Sequence, residues 1–501
     1  MDTETTTPRN DSAPGRRKFV LALLCIFVLA VIIFGIRLAS AVHNPFFFGD
    51  AGQRLHMAYL PIVRIGNRIW LPMLQGHIWV LYLLRLPYYT FGIIPCFYFF
   101  VAMFFLGLFT WQRTAELSGG LIFTLFLMFC FAYQWEVQNF SVQLYQESLG
   151  LAFFYVLLWA GALELRPNKW LLPIAGLALL TREDFWIYLF AISLLNYKRI
   201  LSRVQYRRSF LFLWSIVALW LVSTVFIFRH CVGRYPAFLV EWPLGINKKD
   251  HHAVSHLSAT ISDCFRSLVH SRAIYLVAGL VIVGVIGRVL GRAKDPNSKP
   301  ADMFEARYRS FSFLSLGIIY VLIILFNPWE ATFGSGRLAI PLLAQGFVWA
   351  SLLFAKTYSY STSVRILARS VLAAALILSM NPNVSTWIPQ RDRPAEKSVQ
   401  EIAQLVQSAG RNGKANVCVF EKDYWGAMLR FAAPTLYAQW SPHPRDDMNS
   451  GTCDLIIQGE SSASLVPGAN YTKHDEYQLR GRSYVVFQRV SRPLSPVQSS
   501  K

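Results

Sequence analysis

Phe19-Val20-Leu21-Ala22-Leu23-Leu24-Cys25-Ile26-Phe27-Val28-Leu29-Ala30-Val31-Ile32-Ile33-Phe34-Gly35-Ile36 runs without a polar interruption, directly after Arg16-Arg17-Lys18. A helix of this composition is close to the roughly 20 apolar residues that cross a bilayer. The run is long for a secretory signal and has no convincing small-x-small cleavage site. Further apolar runs follow it, so it reads as an anchoring first helix. Those further runs lie at about 90–110, 118–134, 149–164, 170–181, 185–197, 209–229, 273–290, 310–326, 338–355 and 366–380. Together they predict a polytopic α-helical membrane protein with about 11 spans, the fifth and sixth short enough to be tilted, broken or partly interfacial.

Composition agrees. Of 501 residues, 54% are hydrophobic and 15% charged, against about a quarter charged in soluble domains. The formal charge of +20 would suggest nucleic acid in a soluble chain. Here the basic residues cluster between apolar runs, the pattern of cytoplasmic membrane loops, and no nucleic-acid partner is expected. With the N-terminus inside, the inner loops carry Arg113; Arg166 and Lys169; Lys198, Arg199, Arg203, Arg207 and Arg208; Arg288, Arg292, Lys294, Lys299, Arg307 and Arg309; and Lys356, Arg365 and Arg369. An odd number of spans then puts everything after the last one outside. The expected organisation is a cytoplasmic tail at 1–18, a multi-span membrane domain at 19–380 with a long first outer loop at 37–89, and an extracytoplasmic domain at 381–501. The stretch around 69–86, with Pro72, Gln75, His77 and Arg85, suits interfacial helices better than a span.

After about Asn381 the pattern changes. Lys397–Ser408 has helical spacing, Asn416–Phe420 and Asp454–Gly459 read as strands, Tyr424–Ala433 as a helix and Ser483–Val490 as an alternating terminal strand. This predicts a small α/β domain. It has no glycine-rich phosphate loop. Cys25, Cys96 and Cys130 fall in apolar runs and read as packing residues. Cys231 with Cys264, and Cys418 with Cys453, fall in segments read as outside, and each pair is a candidate disulfide. Asn139, Asn383 and Asn470 begin acceptor sequons on outward segments.

Ionisable groups at the ends of spans cost energy to hold near lipid, so they tend to face a wet cavity and to have a role. Four groups fall on the outer side. Asp50 sits in Phe48-Gly-Asp-Ala-Gly-Gln-Arg54, with Arg54 and His56 beside it, and is either a helix cap or a reacting acid. Glu147 opens the fourth span, where it complements the helix dipole, orients an acceptor or assists a metal. Thr181-Arg182-Glu183-Asp184 places three charges among apolar residues; either Arg182 pairs with a neighbouring acid, or its guanidinium takes a lipid phosphate. Arg337, after Gly334 and Gly336, opens a late span as a snorkelling anchor or a phosphate contact. In the loop 230–272, His251, His252 and His256 fit no closed zinc site, and its basic residues suit an anionic headgroup better. No Gly-x-Ser-x-Gly, His-Glu-x-x-His or Walker loop supports a hydrolase, zincin or ATPase.

Taken in order and sidedness, Gly49-Asp50, Gln146-Glu147, Thr181-Arg182-Glu183-Asp184 and Gly336-Arg337-Leu338-Ala339-Ile340-Pro341 resemble the GT-C superfamily of integral-membrane glycosyltransferases. The nearest group is that of protein O-mannosyltransferases and aminoarabinose transferases. The resemblance covers most of the membrane region. It implies a cell-membrane enzyme that moves a sugar, with inversion, from a polyprenyl-phosphate donor to a hydroxyl of a glycan, lipid or protein acceptor outside the membrane. Asp50 would then be the general base, Arg337 and Arg182 the donor-phosphate contacts, and Glu147, Glu183, Asp184, Arg54 and His56 supporting groups. Many members carry a second acid after the first. Here Ala51 follows Asp50, so no metal ligand is assigned and no cofactor is assumed, with room left for a divalent metal. The competing classes are a transporter or flippase of lipid-linked sugars, which would show internal repeats or mid-span acids, and an envelope polysaccharide polymerase or ligase.

Overall fold

The computed structural model describes residues 13–43, 72–86, 88–165, 170–182, 184–232, 271–290, 299–326 and 339–383. In the C-terminal part it describes 414–419, 437–440, 448–459, 467–468, 470–479 and 482–490, with scattered helical positions at 261–269 and 397–408. Most of the chain is helical, with a small sheet near the C-terminus. The helices are α1 (Ala13–His43), α2 (Pro72–Leu83), α3 (Ile93–Thr114), α4 (Gly120–Ala132), α5 (Trp135–Phe140), α6 (Glu147–Trp159), α7 (Leu171–Leu179), α8 (Asp184–Leu195), α9 (Tyr197–Ser202), α10 (Val204–Val232), α11 (Ala273–Val289), α12 (Lys299–Phe326), α13 (Ala339–Lys356) and α14 (Thr362–Ser379).

Every apolar run expected to span contains a helix. Among the described residues four are long and apolar enough to cross a membrane: Arg17–Val42, Thr90–Thr114, Ala339–Ser359 and Thr362–Ser379. Helix α7 has 9 residues and would rise only about 14 Å, half the hydrocarbon thickness. The first helix continues past Ile36, the end expected for it, and so takes in Arg37. Helix α2 has 12 residues, too few to span, and packs Leu74 and Ile78 against Phe91, Ile94, Leu144 and Leu149.

Ring contacts fix the helix directions. Phe99 meets Phe131 and Gly107 lies against Met128, so α3 and α4 are antiparallel. Tyr98 meets Phe153 and Phe105 meets Trp159, so α3 and α6 are parallel. Phe123 stacks on Phe354 at 3.8 Å while Phe131 meets Phe347, which sets α13 antiparallel to α4 and hence parallel to α6. On α1, Phe27 lies against Phe104 and Phe34 against Phe100, antiparallel to α3. Helices α11 and α14 approach so closely that a Cβ on Gly279 would lie 2.1 Å from the Ala375 Cβ, a small-residue seam of the kind that membrane helices use.

These directions collect the C-terminal ends of α1, α4 and α14 and the N-terminal ends of α3, α6, α8, α11 and α13 at one end of the bundle. Backbone and side-chain hydrogen bonds tie them there. Gln134 bridges to Met380, and its amide reaches the Ser271 carbonyl at 3.3 Å. Asn381 donates to the Tyr133 carbonyl at 2.8 Å and to Gln138 Oε1 at 2.8 Å. Arg272, at φ 58° in the left-handed region, donates to the Leu378 and Met380 carbonyls.

The C-terminal sheet comprises β1 (Lys414–Val419), β2 (Tyr437–Trp440), β3 (Leu455–Gly459), β4 (Tyr471–Leu479) and β5 (Arg482–Arg489), in the order β2-β1-β3-β5-β4. β1 is parallel to β2 and β3, and β5 is antiparallel to β3 and β4. Sequence reading missed β2 and β4. β4 is an edge strand with Lys473, His474, Asp475 and Glu476 in a row and a bulge after Lys473. Those are the devices that keep a sheet edge from pairing, and they erase the apolar alternation by which a strand is recognised. The helix expected at 424–433 lies outside the described residues. Cys418 and Cys453 form a disulfide, with Cα atoms 5.9 Å apart. Cys264 lies outside the described residues, so the other candidate pair has no structural reading. Cys96 and Cys130 are buried free thiols, as their apolar runs suggested, and Cys25 is partly buried.

Candidate functional site

Three of the expected site residues come together. Arg182 lies in the turn between α7 and α8, and its Nη1 meets Glu147 Oε1 at 3.0 Å while its Nε meets Asp184 Oδ1 at 3.0 Å. The turn is fixed locally. The Thr181 hydroxyl donates to the Ala178 carbonyl, the Trp186 indole to the Leu179 carbonyl, and the Met73 amide of α2 to the Leu180 carbonyl. Glu147 and Asp184 each open a helix, where a carboxylate complements the N-terminal dipole. Gly150, one turn into α6, makes room for the arginine stem. A Cβ there would lie 2.4 Å from Arg182 Cδ.

The Arg182 and Asp184 side chains are 14% and 11% exposed and Glu147 is 4% exposed, so the charges compensate one another with little help from water. Such a group holds its geometry because removing one partner strands the others. Nη1 and Nε of Arg182 each meet a carboxylate, so among the described residues the guanidinium holds Glu147 and Asp184 in place. This is the pairing with a neighbouring acid that the sequence offered beside a phosphate contact.

Tyr188, one turn below Asp184, feels the charges of Asp184 and Arg182 and faces the Gln345 side chain on α13. Tyr155 on α6 donates to the Ala344 carbonyl at 3.2 Å, and Tyr308 on α12 donates to the Gln345 carbonyl at 3.1 Å. Gln345 in turn reaches Ser315 Oγ at 3.0 Å. These bonds pin α13 in register. Glu147 lies about 12 Å above Tyr155, and Ala339 about 7.5 Å above Ala344, at 1.5 Å per residue along parallel helices. The start of α13 therefore sits at nearly the depth of the two acids. Nearby, the Met73 carbonyl can only accept, so His77 Nδ1 carries the proton and its Nε2 accepts from the Tyr98 hydroxyl at 3.1 Å.

Glu136 is a residue to which the sequence assigned no role. It is 3% exposed on α5. Gln134 caps α5 by accepting from the Glu136 and Val137 amides, and its amide donates to Glu136 Oε2. Burial pushes the carboxyl up from 4.5 to about 7, against the pull of the Gln134 hydrogen bond and the charge of Arg272. The sequence signal was a lone acid beside a capping glutamine, which does not distinguish a buried carboxyl from a solvated one.

Asp50, Arg54, His56, Glu183 and Arg337 lie outside the described residues. Among the described residues, no group of three His, Cys, Asp or Glu side chains is arranged to hold a metal ion. Compared with known proteins, the chain matches no family's sequence model and no curated protein. Its function must therefore be argued from this geometry and from the residues themselves.

Proposed function

We propose that the chain is a multi-pass membrane glycosyltransferase of the GT-C type, transferring a sugar with inversion from a polyprenyl-phosphate donor to an acceptor hydroxyl at the extracytoplasmic face. In this reading about 11 helices cross the bilayer, the N-terminus is cytoplasmic and the C-terminal sheet lies outside, on the side where a disulfide such as Cys418–Cys453 persists. The observation that carries the reading is the meeting of Glu147, Arg182 and Asp184 at the starts of two parallel helices, level with the start of α13. Buried ionisable groups at a membrane-protein helix end are expected to have a role. Two carboxylates held together suit a site where the departing sugar carbon gathers positive charge.

Asp50 is the general base that takes the acceptor proton. Arg337, two residues before α13 in the sequence, stabilises the leaving phosphate. Glu147 and Asp184, oriented by Arg182, bind the sugar or acceptor hydroxyls. The test is transfer of labelled sugar from defined polyprenyl-phosphate donors by purified wild type and Asp50→Asn. The reading expects product from the wild type and a loss of at least about 100-fold in the variant. Full activity in Asp50→Asn would remove the base assignment, and translocation of donor without glycoside product would replace the transferase by a transporter.

A further inference from the structure

We propose that Arg37 is the centre of an oxyanion site at the same end of the bundle, taking a phosphate group. Arg37 lies on α1 beyond the uninterrupted apolar run and is 2% exposed. Its surroundings are the end of α4 and the start of α3. Nη2 donates to the Ala132 carbonyl at 2.6 Å, the guanidinium lies 5.2 Å from the centre of the Tyr133 ring, and Cys96 is within electrostatic reach. Buried Nε has no hydrogen-bond partner, and among the described residues no carboxylate reaches Arg37.

The contrast with its neighbours decides the assignment. Arg182 is neutralised by two acids. Arg272 donates to two carbonyls and feels the charge of Glu136. Among these three arginines, Arg37 is the one with a buried Nε that has no hydrogen-bond partner and, among the described residues, no carboxylate beside it. A helix C-terminus and an aromatic face offset part of the charge, but neither supplies the in-plane acceptors that a guanidinium lacks. A tetrahedral oxyanion supplies both, because its oxygens match the fork in pairs. The phosphate could be that of a polyprenyl phosphate, of a membrane phospholipid or of the free ion. The site does not depend on sugar transfer.

The experiment measures the thermal midpoint of the purified full-length protein in neutral-lipid nanodiscs, titrated with a short-chain polyprenyl monophosphate, the matching polyprenol, inorganic phosphate or phosphatidic acid. A saturable rise with at least one phosphate probe and none with the polyprenol is expected, and Arg37→Gln should weaken that response at least about tenfold. Response to the prenyl phosphate alone identifies a lipid-linked donor, to phosphatidic acid alone a phospholipid, and to all three a general oxyanion site; each supports the proposal. No phosphate response in the wild type, or an undiminished one in Arg37→Gln, overturns it. If Arg37→Gln does not fold, amide exchange of the wild type at 132–134 gives the reading instead. Slowing by the effective probe is expected, and unchanged exchange overturns the site. Because no transfer is measured, failure here leaves the transferase reading standing, and an inactive enzyme with an intact Arg37 response does the reverse.

Discussion

At the end of the bundle that carries Glu147, Arg182 and Asp184, ionisable groups are buried, and these three satisfy one another. At the opposite end the described basic groups rest on aromatic faces, carbonyls and one exposed ion pair. There Arg113 lies 3.8 Å over Phe304 and Arg369 4.3 Å over Phe354, while Arg365 lies 4.6 Å over Tyr358. Arg365 Nε and Arg369 Nη2 are buried without a hydrogen-bond partner, but unlike Arg37 both residues are only partly buried. Lys356 pairs with Glu305 at 2.9 Å while staying 41% exposed. Long basic side chains that rest their stems on apolar surface are usual at a membrane boundary. Carboxylates buried at helix starts around one arginine are not, and the proposed function places its site at that end.

The comparison can be broken most severely at Arg182. Arg182→Ala leaves Glu147 and Asp184 buried without their cation and should cost about 3–5 kcal/mol, read as a large fall in the thermal midpoint, with partial recovery in Arg182→Lys. A midpoint near that of the wild type would mean that the acids are far wetter than they look.

Next comes Glu136, whose effect is one of pH. Its folded carboxyl sits near 7 against an ordinary 4.5, so the unfolded chain releases its proton first. Its contribution is full below about pH 4.5 and is lost as the pH rises to about 7, by on the order of 3 kcal/mol. Glu136→Gln keeps the acceptor for Gln134 and should flatten stability across that window, raising it at neutral pH. An unchanged pH profile in the variant would show that the carboxyl is not buried as described.

Smaller again is Gly150→Ala, whose methyl would displace the Arg182 stem. About 1–3 kcal/mol of destabilisation is expected, together with a loss of activity larger than its loss of stability would explain. The smallest effect belongs to the other end. Lys356→Ala removes an exposed ion pair and should cost no more than about 1 kcal/mol; a cost like that of Arg182→Ala would erase the distinction between the ends.

Much of this fold could be read from the sequence, because apolar runs punctuated by Arg and Lys are a strong, local signal. The runs at 273–290 and 338–355 match α11 and α13 to within a residue or so. Where the signal was compositional and not periodic, reading failed: β4 hides its register under a row of charges. The shortness of the fifth run was legible, and α7 has 9 residues. In the site, Arg182 and Asp184 were visible as neighbours in sequence, so their pairing was foreseeable. Glu147, 35 positions earlier, joins them only through helix packing, which no local pattern encodes. That third partner sets Arg182 between two acids. Arg37 escaped notice because its charge falls just past a long apolar run, where an arginine ordinarily snorkels, and only the packing of α1 against α3 and α4 reveals it as buried.

The most direct test compares the two ends in one assay: sugar transfer from a polyprenyl-phosphate donor by wild type, Glu147→Gln and Lys356→Gln, each verified as folded. The account predicts product from the wild type, a fall of about 100-fold or more in Glu147→Gln, and Lys356→Gln within about twofold of the wild type. Equal activity in Glu147→Gln and wild type, or no transfer by the wild type from any polyprenyl-phosphate donor, would contradict it.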